Sequence, residues 1–171
     1  MGRRAKAILK IERAIAQLED RPGLCLHYAH YTAKIIWEQG YRAVIQGGSL
    51  QWPRLRPEDD DGVVNTHFAY VWDYDSQASR LARAMGNLPE LHVWVGILDT
   101  QEIVDFSVRH LPRAAMERQM FWTAPPPPQH LWCPANALPE GVVYQPFKDA
   151  SIYAGALLKQ IYDPVYMKGR R

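Results

Sequence analysis

Cysteine is scarce in this chain: Cys25 and Cys133 are the only two among 171 residues, and they lie far apart. That number and spacing exclude the disulfide framework of a small secreted scaffold. No apolar run approaches the roughly 20 residues that cross a bilayer. The first residues also lack the apolar stretch and small-residue cleavage site of a secretion signal. A reducing cytoplasm is therefore the expected setting, and it would keep Cys25 a free thiol. Charge of one sign is missing as well. The formal net charge is +2, and no basic stripe gathers the positive residues, so nucleic acid is not an expected partner. Arg3, Arg4 and Lys6 at one end and Lys168, Arg170 and Arg171 at the other read as solvated tails. No glycine-rich phosphate loop is present, so no coenzyme pocket or other cofactor is expected. There is no internal repeat, and the one low-complexity stretch is the stiff connector Pro125 to Pro128.

Metal-ligand patterns are thin too. Glu58-Asp59-Asp60-Asp61 is a run of carboxylates without the alternating oxygen spacing of a calcium loop. It reads as part of an exposed, mobile loop between Pro57 and Gly62. His27 and His30 share a helix face, but no second ligand pair with zinc-like spacing accompanies them.

What is present describes one globular domain over 1–171, with 47% hydrophobic and 22% charged residues. Ile8, Ile11, Ile15 and Leu18 recur at helical spacing and predict an amphipathic helix over 4–20. A turn at Arg21-Pro22-Gly23 precedes a second helix over 25–39, stopped by Gly40. Residues 42–46 and 49–52 read as extended, with a bend or bulge at Gly47-Gly48. A strand over 64–72, a short helix over 76–85 and a hairpin of 91–98 with 103–108 follow. Beyond Pro112 come a short helix, the proline connector, a strand near 142–144 and a last helix near 150–161. A helical block ahead of an antiparallel sheet makes the expected fold class α+β.

The hairpin carries the chemistry. Along its first strand His92, Trp94 and Gly96 share one face, and Val93, Val95 and Ile97 the other. Along its second, Ile103, Asp105 and Ser107 oppose Val104, Phe106 and Val108. A tight turn at Asp99-Thr100 sets Trp94 opposite Asp105 and His92 opposite Ser107, and it collects both all-apolar rows on one side. The same register makes His92 and Asp105 diagonal neighbours about 7–8 Å apart at the backbone. Register is thus selected by burial, and it is the register in which an imidazole meets a carboxylate.

Cys25 heads the second helix, on a stripe of Ala29, Thr32, Ala33 and Ile36 that permits close approach to a sheet. A helix start favours a thiolate, and its free N–H groups can donate to an oxyanion. Thiol, imidazole and carboxylate supply nucleophile, base and orienting group. Gln46 or Gln51 is a candidate second oxyanion donor, or an exposed polar strand residue. Trp52 and Trp94 either wall the cleft or belong to the core. His67 and Cys133 lack comparable surroundings.

Gly23-Leu24-Cys25, Ala29, Ala33, Gly40, Arg42 and Gly47, followed by His92-x-Trp94 and Asp105, resemble the transglutaminase-like branch of the papain-like cysteine enzymes over residues 21–108. Arylamine N-acetyltransferases show a similar order of Cys, His and Asp. The resemblance implies a papain-like fold, an insertion near 53–88 bearing the acidic loop beside the cleft, and an extension from about 112. It also implies acyl-enzyme chemistry on Cys25 with no cofactor, acting on a peptide, protein or small amide or thioester. Hydrolysis, deamidation and acyl transfer stay open, as does a silent binding module on the same fold.

Overall fold

A computed structural model of the chain describes residues 2–59, 66–85 and 90–166. Among these, α1 (Arg3–Ile15) and α2 (Cys25–Glu38) come first, then the long strand β1 (Ala43–Pro53). Next are β2 (His67–Tyr70), α3 (Gln77–Ala84), β3 (His92–Ile97) and β4 (Glu102–Asp105). A 3-10 turn at Val108–His110 leads into α4 (Leu111–Glu117), and β5 (Leu131–Pro134), β6 (Val143–Pro146) and α5 (Lys148–Tyr166) complete the chain. The class is α+β, with helices packed on an antiparallel sheet.

β1 organises the sheet. Gly48 pairs with His92 on one side and Pro146 on the other, while Leu50 pairs with both Tyr70 and Tyr144. A strand residue has only two edges, so β2 and β3 follow one another along one edge of β1, and β6 holds the opposite edge. β3, β4 and β5 then continue as an antiparallel meander. The expected hairpin register is present: Val95 faces Val104, Gly96 faces Ile103 and Ile97 faces Glu102.

Alternation along these strands divides the interior into two cores. Val93, Val95, Ile97, Val104 and Phe106 pack under α1, α2 and α5. Leu50, Trp52, Phe68, Trp94 and Ile103 face the other way, against Val108, Leu111 and Ala115 of the 3-10 turn and α4. In α1, Ala7, Ile11 and Ile15 are buried, so the basic N-terminal helix uses its apolar stripe on its own domain.

Several boundaries differ from the sequence expectation. α1 stops at Ile15 instead of residue 20, and the carbonyl of Asp20 is taken by Arg113. Gly47 and Gly48 make no bend: β1 runs through them unbroken. Their bare backbone is required by close approach, since a Cβ on Gly48 would sit 2.1 Å from the Gln145 oxygen and one on Gly47 2.8 Å from the Ala150 oxygen. β4 ends at Asp105, so the expected His92–Ser107 pair gives way to the 3-10 turn. β5 arises where a proline-rich region with a loop or buried thiol was expected, and Cys133 is half-buried within it. β2 is shorter than 64–72 and α5 longer than 150–161.

Pro57–Asp59 form an exposed 3-10 turn. The rest of the acidic loop, Asp60 to Gly62, the start of the expected strand at Val64, and the basic residues Lys168, Arg170 and Arg171 lie outside the described residues. Among the described residues no helix is long and apolar enough to cross a membrane.

Candidate active site

The turn before α2 places the thiol. Gly23 takes φ +82°, a left-handed backbone that side chains disfavour, and Leu24 caps the helix without a side-chain hydrogen bond. Cys25 is the first helical residue, at an end whose N–H groups have no intrahelical partner. Buried Ala29 and Ala33 let α2 lie close to β3. That approach carries Cys25 to the start of the strand, where its Sγ donates to the Leu91 carbonyl at 3.8 Å.

The next residue along the strand is His92, which is 2% exposed. Its Nε2 lies 2.6 Å from Asp105 Oδ2. Asp105 is as deeply buried and receives three further donors. The Ser107 N–H and hydroxyl reach Oδ1 at 2.8 and 2.7 Å, and the Tyr144 hydroxyl reaches Oδ2 at 2.8 Å. Burial pushes this carboxyl's pKa up, but His92 and Ser107 outweigh it and hold Asp105 below its ordinary value. An ionised carboxylate only accepts, so Nε2 carries the proton.

His92 responds in the complementary sense. Burial disfavours its cation, yet the charge and hydrogen bond of Asp105, with smaller contributions from Cys25, raise the imidazole's pKa to about 10. Nδ1 has no partner of good hydrogen-bond geometry, although the neighbouring thiol acts on the ring by both charge and hydrogen bonding. The Cys25–His92 contact is therefore looser than the His92–Asp105 one, as is common in sites without substrate. All three expected residues are brought together: Asp105 holds His92 Nε2, and Cys25 lines the same crevice as His92.

The other expected participants lie elsewhere. Gln46 Oε1 accepts from Trp94 Nε1 at 2.8 Å, and Gln46 lines a different cleft. Gln51 is exposed and belongs to the opposite row of β1. Neither amide lines the crevice at Cys25. Trp52 and Trp94 are both buried in the second core; the Trp94 ring backs His92 at 6.1 Å without reaching the crevice.

Two tyrosines were not singled out from sequence. Tyr144 reaches Asp105 because β6 pairs with β1, a contact between distant segments. Tyr70 comes from within the expected insertion. It faces Leu50 where His92 faces Gly48, so both rings leave the same side of the sheet, two residues apart along β1. They stack at 5.2 Å and 19°. Burial first, then the nearby Cys25, pushes the Tyr70 phenol well above its ordinary pKa, so it remains an O–H donor. Arg118 lies 4.9 Å over the outer face of the same ring. Tyr70, Cys25, His92, Ser107 and His110 line a crevice of ≈ 10 Å³, about the room one water needs.

Chemically, the arrangement can hold a thiol in one crevice with an imidazole whose Nε2 is fixed by a buried carboxylate. Comparison with family models, with curated proteins and with solved structures finds no match to this chain.

Proposed function

We propose that the protein is a cysteine-nucleophile acyl enzyme acting on an amide or thioester, with Cys25 as nucleophile, His92 as base and then acid, and Asp105 as the orienting carboxylate. The single observation that supports this most is the buried His92, held by Asp105 through Nε2 in the crevice that Cys25 also lines. A buried Asp105 with four donors is an expensive arrangement unless the imidazole must keep one orientation.

In the proposed reaction Cys25 Sγ attacks the acyl carbon as a thiolate paired with the His92 imidazolium, whose Nδ1 carries the transferable proton. The leaving amine or thiol takes that proton as its bond to carbon breaks, which leaves a thioester on Cys25. Water, or an amine in a transfer reaction, then attacks the thioester and gives its proton to His92. The free acid or new amide leaves, and the thiolate–imidazolium pair is restored. The N–H of Cys25 and the Tyr70 hydroxyl are the proposed donors to the oxyanion, in the role Gln46 and Gln51 were expected to share.

The same reading takes the fold as papain-like, in its transglutaminase-like form. Its support is Gly23-Leu24-Cys25 opening α2, His92-x-Trp94 on β3 and Asp105 closing β4. Two unpaired thiols suit a reducing cytoplasm, the proposed location.

Reactivity tests it. At pH 6–7 Cys25 should alkylate with iodoacetamide much faster than Cys133, as read by mass spectrometry of the native protein. p-Nitrophenyl acetate should give a nitrophenolate burst approaching one equivalent, absent in Cys25→Ala and slowed about 10²–10⁴-fold in His92→Gln. If both thiols are equally slow and no burst appears, a binding module without turnover replaces this reading.

A further inference from the structure

Beside the reactive crevice lies a much larger cleft of ≈ 500 Å³, within the range of small-ligand sites. The same two segments wall both. Pro22, Gly23 and Leu24 from the loop between α1 and α2 face Ser107 and Leu111 across the crevice. Leu18 and Asp20 of that loop face Arg109 and Arg113 across the cleft. His110 lines both spaces, its Nε2 held by the Tyr28 hydroxyl at 2.8 Å. His110 is the residue that the two spaces share.

The cleft carries charges of both signs. Glu12 accepts from Arg109 at 2.7 Å. Asp20, whose side chain is 92% exposed, has Oδ1 3.5 Å from His110 Nδ1, and its carbonyl accepts from Arg113 at 2.6 Å. A guanidinium carries five N–H groups, so each arginine has donors beyond these bonds. Two arginines and two carboxylates in one lining leave little net charge. A polyanion would meet Glu12 and Asp20, and a polycation would meet Arg109 and Arg113. A small molecule that carries both an ammonium and a carboxylate satisfies both sets, and Ile15 and Leu18 offer an apolar wall beside them.

We propose that this cleft binds an α-amino acid or short peptide as a zwitterion, with its carboxylate toward the arginines and its ammonium toward Glu12 and Asp20. Binding there needs no chemistry at Cys25. That the bound molecule is part of the substrate, with its reactive acyl group reaching past His110, rests on the acyl-enzyme reading.

Calorimetric titration of the intact protein with glycyl-L-leucine, its N-acetyl derivative and its C-terminal amide decides the matter. The unmodified dipeptide should bind saturably in the millimolar range or tighter, and each derivative should lose about tenfold or more in affinity. Arg113→Gln should weaken the dipeptide and leave the amide unchanged; Glu12→Gln should weaken the dipeptide and leave the N-acetyl derivative unchanged. Where a variant does not fold, the three ligands on the wild-type protein suffice. Equal binding of all three, or no saturable heat at millimolar concentration, overturns the proposal. Zwitterion binding with an inert Cys25 would leave it standing and remove the acyl chemistry. A full nitrophenolate burst without dipeptide binding would do the reverse.

Discussion

At the scale of single residues, Asp105 concentrates the energetics of the site. Its Oδ2 is shared by His92 and Tyr144 and its Oδ1 is held by the Ser107 N–H and hydroxyl, so each of the three side-chain donors can be removed separately. A hydrogen bond to a buried charge contributes about 1.5–3 kcal/mol. Tyr144→Phe should lower unfolding stability by that amount in urea titration and slow Cys25 alkylation, because the carboxylate loses part of its anchor. Tyr70→Phe should behave differently. Its hydroxyl is proposed to serve the oxyanion, which forms during acylation but not during alkylation. Its nitrophenolate burst should therefore slow by about 10²–10³-fold, while iodoacetamide labelling of Cys25 stays within a few-fold of wild type. A mutant slowed equally in both assays would make Tyr70 only a packing partner of His92. The sequence made Cys25, His92 and Asp105 legible through local signals: a helix start and two alternating strands. It hid Tyr70 and Tyr144, since an isolated tyrosine on a strand carries no sign of what lies across the sheet.

At the scale of elements, the β3–β4 register was legible because only one pairing buries Val93, Val95, Val104 and Phe106 together. β1 was harder. Gly47-Gly48 is locally a turn signal, and only the distant Gln145 and Ala150 backbones explain why it is extended and bare. β5 was hidden by its prolines, which stand at the strand's end and in the connector before it. The second core depends on such pairings, so it was less readable than the first. Gly48 permits a prediction at this scale. A Cβ 2.1 Å from the Gln145 oxygen cannot be accommodated without moving β6. That strand carries Tyr144. Gly48→Ala should therefore cost about 1–3 kcal/mol in stability and also weaken Cys25 alkylation. A comparably overpacking change far from β6 should lower stability alone. Unchanged melting of Gly48→Ala would show that β6 yields freely.

At the scale of the whole molecule, the site joins segments from both sides of the sheet: α2 from one face, the residues after β4 from the other, and β1 with β2 and β6 between them. The buried His92–Asp105 pair ties that junction to global stability, and the direction of its pH dependence follows from the two shifts. His92 is raised from 6.5 to about 10, so its contribution is complete below pH 6.5 and is lost as pH rises toward 10. Asp105 is lowered from 3.8, so its contribution is present above that value and is lost as pH falls below it. The pair thus stabilises most between about pH 4 and 6.5. Removing one member alone strands a buried charge and should cost about 3–5 kcal/mol, which makes His92→Ala a poor probe of linkage. The informative comparison is wild type against the double variant His92→Gln, Asp105→Asn, with unfolding free energies measured in urea across pH 3.5–9. Their difference should be greatest in the mildly acidic window, shrink steadily from pH 7 to 9, and shrink again below pH 4. A difference that stays flat across this range would mean that folding shifts neither pKa and that the pair adds no pH-dependent stability.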